Sequence, residues 1–556
     1  MINDDSRIQF IGAVKLDFSA CDEKDFYSDG SIEDEMLSHV RAGNTENFLR
    51  NDYRFPVLCH LSPLRNFLLE WLPIGKDDSV LEIGCGCGAL TGTLLNKGAR
   101  VEAVEISARR AQICALRNRD EKNLTIRVGN LNSMTFDKKF DFVILVGVLE
   151  YAARFTHTKN PYEDFLTKCK SFLKPDGSLV LAIENRLGLE YFSGKLEDHT
   201  GRLFDGITDY PASPGVKTFS RLELENMLNS CGLVSQKFFY PYPDYKFPVI
   251  IHSDEMLPNA KELARFHDNF YDTDRIELFP MSQAWSTIIK SGLYSEFANS
   301  FLIVARQNHQ EQRIFPLKTF INKSTRKLKY QLRTEIYRAA TDSGLLIKKI
   351  ARNPFARPHL KTMVENCKIL SEIYGAQHVA QIVLTSDDTA EMEFVSGTIF
   401  EDCLCQALEL GGANDFVKLL IFYFQNILRG TNDNQKFSKG LLEFDLPNRQ
   451  YEADLNFRNI AIRDNNFVVF DYEFMFPSLP KKFVAWRAFE VLRVNCSEFL
   501  MKYGITFENL VATMELPPDT LSEYARQEQM FQLAITDMHD LRYRKRRLPV
   551  TGFKFD

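Results

Sequence analysis

A glycine-rich turn between an apolar run and a helical run constrains this chain more than any other feature. Residues 80–88 read Val-Leu-Glu-Ile-Gly-Cys-Gly-Cys-Gly, and residues 89–96 have helical spacing that ends at Lys97-Gly98. Alternate glycines permit backbone conformations closed to other residues and let a ligand approach the main chain. The stretch predicts a strand, a loop and a helix that hold a nucleotide-type cofactor. A tight turn in any α/β protein is the alternative interpretation.

The hundred or so residues after the turn alternate between strand and helix patterns. A second strand, Arg100 to Glu105, ends in a carboxylate about twenty residues past the loop, where a doubly wound fold binds the two ribose hydroxyls of a nucleoside. Further strands are predicted at 124–128 and 140–146, the second of them followed by Val-Leu-Glu-Tyr at 148–151. This order predicts an α/β domain with Glu105 as its principal cofactor ligand.

These motifs resemble those of the class I S-adenosylmethionine-dependent methyltransferases, whose fold is Rossmann-like. Residues 173–182 are similar to that family's helix end, turn and fifth strand, and position 130 is Asn where the family often has an acid. The dinucleotide fingerprint of dehydrogenases would instead place a third glycine at position 91, which is Thr91. The resemblance implies S-adenosylmethionine as cofactor, held by Glu82, Gly84, Cys85, Gly86, Gly88, Glu105, Asn130, Leu131 and Glu150.

A polar, glycine-dotted segment at 184–202 leaves the predicted fifth strand. Substrates approach an open α/β sheet at the carboxyl ends of its strands, so Asn185, Arg186, His199 and Arg202 are candidates for the acceptor side. Arginines suit a phosphorylated or carboxylated acceptor because the guanidinium fork matches such oxyanions. His199 is the candidate general base. A solvated loop is the competing interpretation.

The C-terminal half contains a second pattern of polar residues. Asp454 and Asn459 are followed by a predicted strand that delivers Asp471. This arrangement resembles the protein-kinase-like fold, and Asp-Tyr-Glu at 471–473 is nearer to the choline-kinase and aminoglycoside-phosphotransferase relatives. The resemblance implies that Asp454 accepts the proton of the attacking hydroxyl, while Asn459 and Asp471 hold the Mg²⁺ ions on the phosphates of ATP.

Upstream segments follow the same kinase-like order. Residues 343–350 are similar to the strand that presents a phosphate-binding lysine, with Lys348 favoured over Lys349, and the helix at 359–370 offers Glu365 as its ion-pair partner. Residues 391–397 resemble the hinge strand beside adenine, and 416–428 the long helix below it. The glycine-rich nucleotide loop is missing before Lys348. A kinase-like domain that binds without catalysing therefore stays open as an alternative.

Length and composition indicate the class of protein and the number of domains. The 556 residues, 45% hydrophobic and 26% charged, are ordinary for a soluble protein of two to four domains. The predicted division is an N-terminal extension or lid at 1–60, a methyltransferase domain at 61–307 with a helical insertion near 250–295, and an α+β kinase-like domain at 308–556. The net charge of −6 argues against a general nucleic-acid binder.

The cysteines and the hydropathy of the chain indicate its cellular location. Eleven scattered cysteines fit reduced thiols in the cytosol, and the pairs Cys85/Cys87 and Cys403/Cys405 are better explained as small buried thiols than as metal ligands. The N-terminus lacks the pattern of a signal peptide, and we expect no transmembrane span. The predicted location is the cytoplasm, with a peripheral position at the inner face of the plasma membrane left open.

The two predicted activities together resemble, in domain order, the bacterial O-antigen chain terminators. The sequence hypothesis is a bifunctional methyltransferase and small-molecule or glycan kinase in surface-polysaccharide biosynthesis, with a glycan or glycolipid precursor and other glycan-assembly enzymes as partners. Three alternatives remain open: a methyltransferase with a non-catalytic kinase-like recognition domain, a phosphobase kinase and N-methyltransferase, and an RNA methyltransferase. The last would use the basic run Arg542 to Arg547, for which a solvated helix end is the plainer explanation, and no nucleic acid is expected as a partner.

Overall fold

The chain forms two compact units, residues 1–319 together with 541–556, and residues 320–540. The computed structural model describes residues 7–21, 28–52, 54–211, 215–264, 276–310, 313–321, 326–339, 344–428, 451–452, 454–464, 466–476, 480–536 and 548–549. The first segment of the first unit ends at residue 319, whereas the sequence predicts a domain boundary between residues 307 and 308. The basic run at 542–547 lies outside the described residues.

One mixed sheet organises the first unit. Its strands are joined in the order β1-β2-β5-β4-β3-β6-β7-β11-β8-β9. The strands are β1 (Ile8–Ile11), β2 (Val14–Ala20), β3 (Ser79–Ile83), β4 (Arg100–Glu105), β5 (Leu124–Gly129), β6 (Phe140–Val146), β7 (Leu173–Glu184), β8 (Ser235–Tyr242), β9 (Ile250–Ser253) and β11 (Ser300–Arg306). The short strand β12 (Lys318–Ile321) follows β9 in this order, and β10 (Ile276–Glu277) lies outside it.

Strand direction fixes where a ligand can bind on this sheet. The pairs β2/β5, β5/β4, β4/β3, β3/β6 and β6/β7 are parallel, whereas β7/β11, β11/β8, β8/β9 and β1/β2 are antiparallel. The chain leaves β3 towards β4 and returns to β6 on its other side, so the strand order reverses beside β3. Ligands of open α/β sheets bind at such a reversal, at the carboxyl ends of the strands.

Helices and buried strands explain why this sheet is stable. All residues of β3 and β11 are buried, which is typical of strands covered on both faces. The helices of the unit are α1 (Ile32–Arg41), α2 (Thr45–Asn51), α3 (Phe55–Leu61), α4 (Phe67–Glu70), α5 (Thr91–Asn96), α6 (Ala108–Arg117), α7 (Ala152–Phe155), α8 (Pro161–Ser171), α9 (Leu189–Phe192), α10 (Arg221–Ser230), α11 (Ala260–Ala264), α12 (Met281–Lys290) and α13 (Tyr294–Phe297). The predicted Rossmann-like α/β domain is therefore confirmed.

The turn after β3 needs glycine at two positions for steric reasons. Gly84 has φ +75°, and a Cβ added there would lie 2.5 Å from Val148 Cγ2. Gly88 has φ +77°, and its Cβ would lie 2.8 Å from Cys114 Sγ. Left-handed backbone of this kind is costly for residues with a side chain. The glycines thus let the loop fold tightly against α6 and the segment after β6.

The second unit is built from small antiparallel sheets and a helical part. Its strands are β13 (Leu332–Arg338), β14 (Leu345–Ala351), β15 (Ile382–Leu384), β16 (Thr389–Glu393), β17 (Thr398–Ile399), β18 (Tyr451–Glu452), β19 (Ile460–Arg463), β20 (Asn466–Val469) and β21 (Met475–Phe476). Three sheets result, in the orders β13-β14-β16-β15, β17-β19-β20 and β18-β21. The final short strand of the chain, β22 (Leu548–Pro549), belongs to the first unit and pairs with β10.

The helices in the described part of the second unit pack around a large buried apolar cluster. They are α14 (Arg357–Tyr374), α15 (Phe400–Leu410), α16 (Ala413–Phe422), α17 (Lys481–Lys502), α18 (Phe507–Ala512) and α19 (Pro518–Ile535), with a π-helical turn at Tyr423–Ile427. The cluster joins Leu360 and Leu370 of α14 to Tyr423, Phe457 and Phe489. Across the described parts of the chain, no helix is both long enough and apolar enough to cross a membrane.

Candidate functional site

A cavity of about 440 Å³ lies at the carboxyl ends of the parallel strands in the first unit. The glycine loop after β3 forms one wall, and residues that follow β4, β5, β6 and β7 form the others. Residues of the N-terminal extension also line it, among them Asp29 and His60, whose side chains are 2.7 Å apart. Whether that extension acts as a lid remains a prediction. The position is the one that the reversal of strand order beside β3 predicts.

Glu105 joins the end of β4 to the glycine loop. Its Oε2 accepts a hydrogen bond from the Gly86 backbone N–H (2.8 Å), and its Oε1 accepts one from the Ser107 N–H (2.9 Å). Burial raises the pKa of Glu105, while these backbone donors and Arg110 act in the opposite direction. A carboxylate fixed in this way has lone pairs left for a ligand in the cavity that it lines.

Glu82 is buried at the end of β3 below the loop. Its Oε2 accepts a hydrogen bond from the Thr91 hydroxyl (2.7 Å). Burial raises the pKa of Glu82 to about 7, because its charged form is poorly solvated and one hydroxyl compensates only in part. Glu82 therefore changes protonation close to neutral pH in the ligand-free protein.

This raised pKa predicts a pH dependence of stability. The folded-state pKa of Glu82 lies above the value of about 4.3 in an unfolded chain, so between these two pH values the folded protein binds a proton that the unfolded chain has lost. The stabilisation that comes from this proton is lost as the pH rises to about 7. We expect Glu82→Gln to gain up to about 3 kcal/mol relative to the wild type between pH 5 and pH 8. Chemical denaturation of both proteins across this range measures the difference, and a constant difference would contradict the assignment.

Of the other predicted cofactor residues, Gly84, Cys85, Asn130, Leu131 and Glu150 line the same cavity, whereas Gly88 packs against Cys114 and does not line it. Asn130 Oδ1 accepts from the Asn132 N–H (3.0 Å), which shapes the turn after β5, and Leu131 is buried. Contact with Cys114 and burial raise the pKa of the Cys85 thiol, so that thiol stays neutral. None of the cysteines, all of which lie in described parts of the chain, forms a disulfide. The assignment of these residues to a cofactor stays a prediction.

The same cavity is also lined by a cluster of titratable side chains, Glu150, Glu184 and His199. Tyr151 Oη lies 2.9 Å from His199 Nδ1, and His199 Nε2 lies 3.6 Å from Glu184 Oε2. Burial alone would lower the pKa of His199, but the charge of Glu184 raises it to about 9. Burial and the same charge raise the pKa of Glu150 to about 8. Glu150, Glu184 and His199 therefore share protons and do not ionise independently.

Three residues predicted for the acceptor side do not line the cavity. Asn185 donates from Nδ2 to the Glu296 and Ala298 carbonyls (2.7 Å each), and Arg186 donates to the Gly206 carbonyl and to Asp209 and Glu223. Both side chains are thus occupied in holding loops together, while Arg202 is exposed. Polar residues beside a strand end can serve the fold as readily as a substrate. The prediction for these three residues is wrong in this respect.

Lys246 is a cavity residue that the sequence analysis did not identify. Its Nζ pairs with Glu184 Oε1 (2.5 Å) and lies 3.6 Å from Asp198. Tyr245 Oη donates to the same Glu184 oxygen (3.1 Å). Both residues follow β8, far along the chain from Glu184, and only the pairing of β8 in the sheet brings them to this edge. The local sequence, Asp-Tyr-Lys at 244–246, gives no signal that distinguishes this lysine from a solvated one.

In the second unit, the predicted metal and catalytic residues lie on neighbouring loops. Lys349 Nζ pairs with Asp471 Oδ1 (2.6 Å), and Asp471 has φ +61°, a rare conformation for a non-glycine residue. Asn459 Nδ2 donates to the Asp454 carbonyl (3.0 Å), and Arg487 Nη1 lies 3.8 Å from Asp454 Oδ1. Carboxylate and amide oxygens of this kind suit Mg²⁺.

Two of the predicted residues in this unit are placed differently from the prediction. Lys349, 3% exposed, faces Asp471, whereas Lys348 faces the other side of β14 and pairs with Glu391 (3.3 Å), because side chains alternate along a strand. Glu365 is exposed on α14, since the buried face of that helix passes through Met363 and Asn366. The geometry therefore favours Lys349 over Lys348 as the phosphate-binding lysine. It does not support the prediction that Glu365 is the ion-pair partner of that lysine.

Comparison with known proteins bears on the first unit. The family described as "Methyltransferase domain" matches residues 81–181. A demethylmenaquinone methyltransferase from Tropheryma whipplei is 32% identical over 117 residues, which is 21% of this chain and 46% of that protein. A ubiquinone biosynthesis O-methyltransferase from Rickettsia bellii is 27% identical over 173 residues, 28% of this chain and 68% of that protein.

Solved structures give weaker likenesses. A SAM-dependent methyltransferase from Archaeoglobus fulgidus has 17% identity and a TM-score of 0.28, covering 44% of this chain and 92% of its own. A Haemonchus contortus phosphoethanolamine N-methyltransferase 2 has 17% identity and a TM-score of 0.27, covering 44% and 52%. Scores this low add nothing to the argument. The sequence match and the sheet order around the glycine loop identify residues 81–181 as a class I methyltransferase domain of Rossmann-like architecture.

Proposed function

We propose that the first unit binds S-adenosylmethionine in the cavity and transfers its methyl group to an oxygen of an acceptor. The observation that carries this proposal is Glu105, which the Gly86 and Ser107 amides fix beside the glycine loop, in the position that binds ribose hydroxyls. Gly86 lines the cavity, and a Cβ there would meet only His60 Nδ1 at 3.9 Å. A side chain at Gly86 would thus fill the space that a ligand needs.

Methyl transfer demands little of the protein beyond position. The sulfonium of the bound cofactor supplies the methyl group and the leaving group, so alignment of the acceptor provides much of the acceleration. As the new carbon–oxygen bond forms, the acceptor proton needs a group to receive it. In the cluster of His199, Glu150 and Glu184, His199 and Glu150 can receive it once they have lost the protons that their raised pKa values retain near neutral pH. The relatives named as O-methyltransferases agree with an oxygen acceptor.

For the second unit we propose a kinase-like domain that phosphorylates a small alcohol or sugar with ATP and Mg²⁺. Asp454 would accept the hydroxyl proton, Asn459 and Asp471 would hold Mg²⁺, and Lys349 would bind the phosphates. The pairing of Lys349 with Asp471 and the closeness of Asn459 to Asp454 support these roles. Together the two units would phosphorylate and methylate a glycan or glycolipid precursor of surface polysaccharide, at the cytoplasmic side of the membrane.

A methyltransferase with a non-catalytic second unit is the other candidate. The observation that favours it is the exposure of Glu365, which leaves Lys349 without the expected helix carboxylate among the described residues. In that case the second unit would select the acceptor without transferring phosphate.

Calorimetric titration of the full chain separates these functions. We expect S-adenosylmethionine to bind wild-type protein and Asp471→Asn equally, whereas Mg²⁺–ATP binds only the wild type. Cofactor binding without nucleotide binding would favour the non-catalytic second unit. If neither ligand binds a folded preparation, the proposed function is wrong. Transfer of labelled phosphate to sugars or to ethanolamine then distinguishes a glycan substrate from a phosphobase.

A further inference from the structure

We propose that Glu150, Glu184 and His199 form a binding site for a divalent transition-metal ion in the cavity. One possible ligand atom from each side chain lies within 4.8 Å of the other two. Glu150 follows β6, Glu184 ends the adjacent β7, and His199 lies on the loop after α9. They are brought together by the sheet rather than by neighbouring sequence.

The distances agree with ligands of one ion. His199 Nε2 and Glu184 Oε2 are 3.6 Å apart, which is too long for a hydrogen bond. Two ligands bound tetrahedrally at about 2.1 Å would be separated by about 3.4 Å. The ligand atom of Glu150 lies within 4.8 Å of the other two.

Unsatisfied atoms provide a second, independent observation. Glu150 Oε2, Glu184 Oε2 and His199 Nε2 are all buried and have no hydrogen-bond partner in the described structure. Glu150 is 1% exposed and Glu184 is fully buried. Buried polar atoms without partners are costly, and three such atoms on the side chains of one cluster indicate a missing ligand. Because two of the three atoms belong to carboxyl groups, a ligand that displaces the Glu150 proton would carry positive charge.

Neighbouring groups support a metal-binding state of the imidazole. Tyr151 Oη lies 2.9 Å from His199 Nδ1, and the Glu197 carboxylate accepts the His199 backbone N–H (2.7 Å). If Nδ1–H donates to the tyrosine oxygen, a cation that displaces the Nε2 proton would bind the lone pair that faces Glu184, which is the usual arrangement for a histidine ligand.

The local charge leaves room for a cation. Within the described part of the chain, Lys246 is the one lysine or arginine paired with Glu184, through the oxygen that faces away from His199, and Glu150 has no such partner. One imidazole and two carboxylates form a mixed donor set that suits Mn²⁺ or Zn²⁺ better than Ca²⁺. The remaining positions of the ion would face the cavity, where an acceptor oxygen could bind. That last role rests on the proposed methyl transfer, while the site itself does not.

Manganese provides a direct test with the full chain. Titration of Mn²⁺ followed by electron paramagnetic resonance counts bound ions, and the electron spin echo shows whether an imidazole nitrogen is a ligand. We expect an imidazole nitrogen signal in the wild type that is lost in His199→Gln, with Mn²⁺ affinity lowered more than about tenfold in Glu184→Gln and Glu150→Gln. His60→Gln should keep the signal, which excludes the other cavity histidine.

A further variant separates this site from the second unit. Asp471→Asn removes a candidate Mg²⁺ ligand there and should leave the imidazole signal intact. Absence of an imidazole signal in wild-type protein at saturating Mn²⁺ would overturn the proposal and leave the three side chains as a proton relay. Binding of S-adenosylmethionine, measured separately, distinguishes the outcomes: cofactor binding without Mn²⁺ refutes only the metal site, and Mn²⁺ binding without the cofactor refutes only the proposed function.

Discussion

Glu105→Ala is expected to lower the affinity of the first unit for S-adenosylmethionine by at least about 100-fold, because hydrogen bonds to a charged group each contribute roughly 1.5–3 kcal/mol and a ribose offers two hydroxyls. The substitution also removes the acceptor of the Gly86 N–H, so the glycine loop loses one of its anchors. Calorimetry with S-adenosylmethionine measures the loss, and Glu105→Gln, which keeps one carbonyl oxygen, should lose less.

Glu102 offers a matched control for this experiment. It lies on the same strand but faces away from the cavity, where it pairs with Arg127 and Lys138. We expect Glu102→Gln to bind S-adenosylmethionine like the wild type. An equal loss of affinity in both variants would mean that damage to β4, and not a ribose contact, explains the result. Unchanged affinity in Glu105→Ala would refute the assignment of Glu105 as cofactor ligand.

The glycine-loop wall of the cavity could be predicted from the sequence because its geometry is local. A strand, a glycine turn and a helix place Gly84 and Gly86 within a few residues of one another, and the parallel partner of β3 ends at Glu105. The right-handed connection of parallel strands leaves little freedom in where that carboxylate lies. The predicted Rossmann-like fold followed from the same regular alternation.

The part of the cavity around Glu184 and Lys246 could not be predicted in the same way, because it depends on pairing between strands that are far apart in the sequence. Lys246 reaches Glu184 only because β8 pairs with β11 and β11 pairs with β7, both antiparallel. No local sequence pattern indicates that order of strands. The sequence also cannot show which polar side chains the fold itself uses, which is why Asn185 and Arg186 were taken for substrate contacts. Their hydrogen bonds to backbone carbonyls become visible only in three dimensions.

Adjacent lysines on β14 allow a decisive test of the second unit. Lys349 pairs with Asp471 and is buried, whereas Lys348 faces the opposite side of the strand. If the unit transfers phosphate, Lys349→Met should lower the rate by about 10²–10³-fold, as expected for loss of one charge that stabilises the transition state. Lys348→Met should change the rate little. Phosphate transfer from labelled ATP measures both variants under the same conditions.

Methionine is the suitable replacement because it keeps the volume of the lysine stem, so the buried position of Lys349 is not emptied. Asp471 is 30% exposed at its side chain and can be hydrated once its partner is gone, which limits the cost to folding. Binding of S-adenosylmethionine by the first unit of the same preparation reports that the protein is intact. Equal loss in both lysine variants would indicate damage to β14, and a loss confined to Lys348→Met would restore the assignment that the sequence alone favoured.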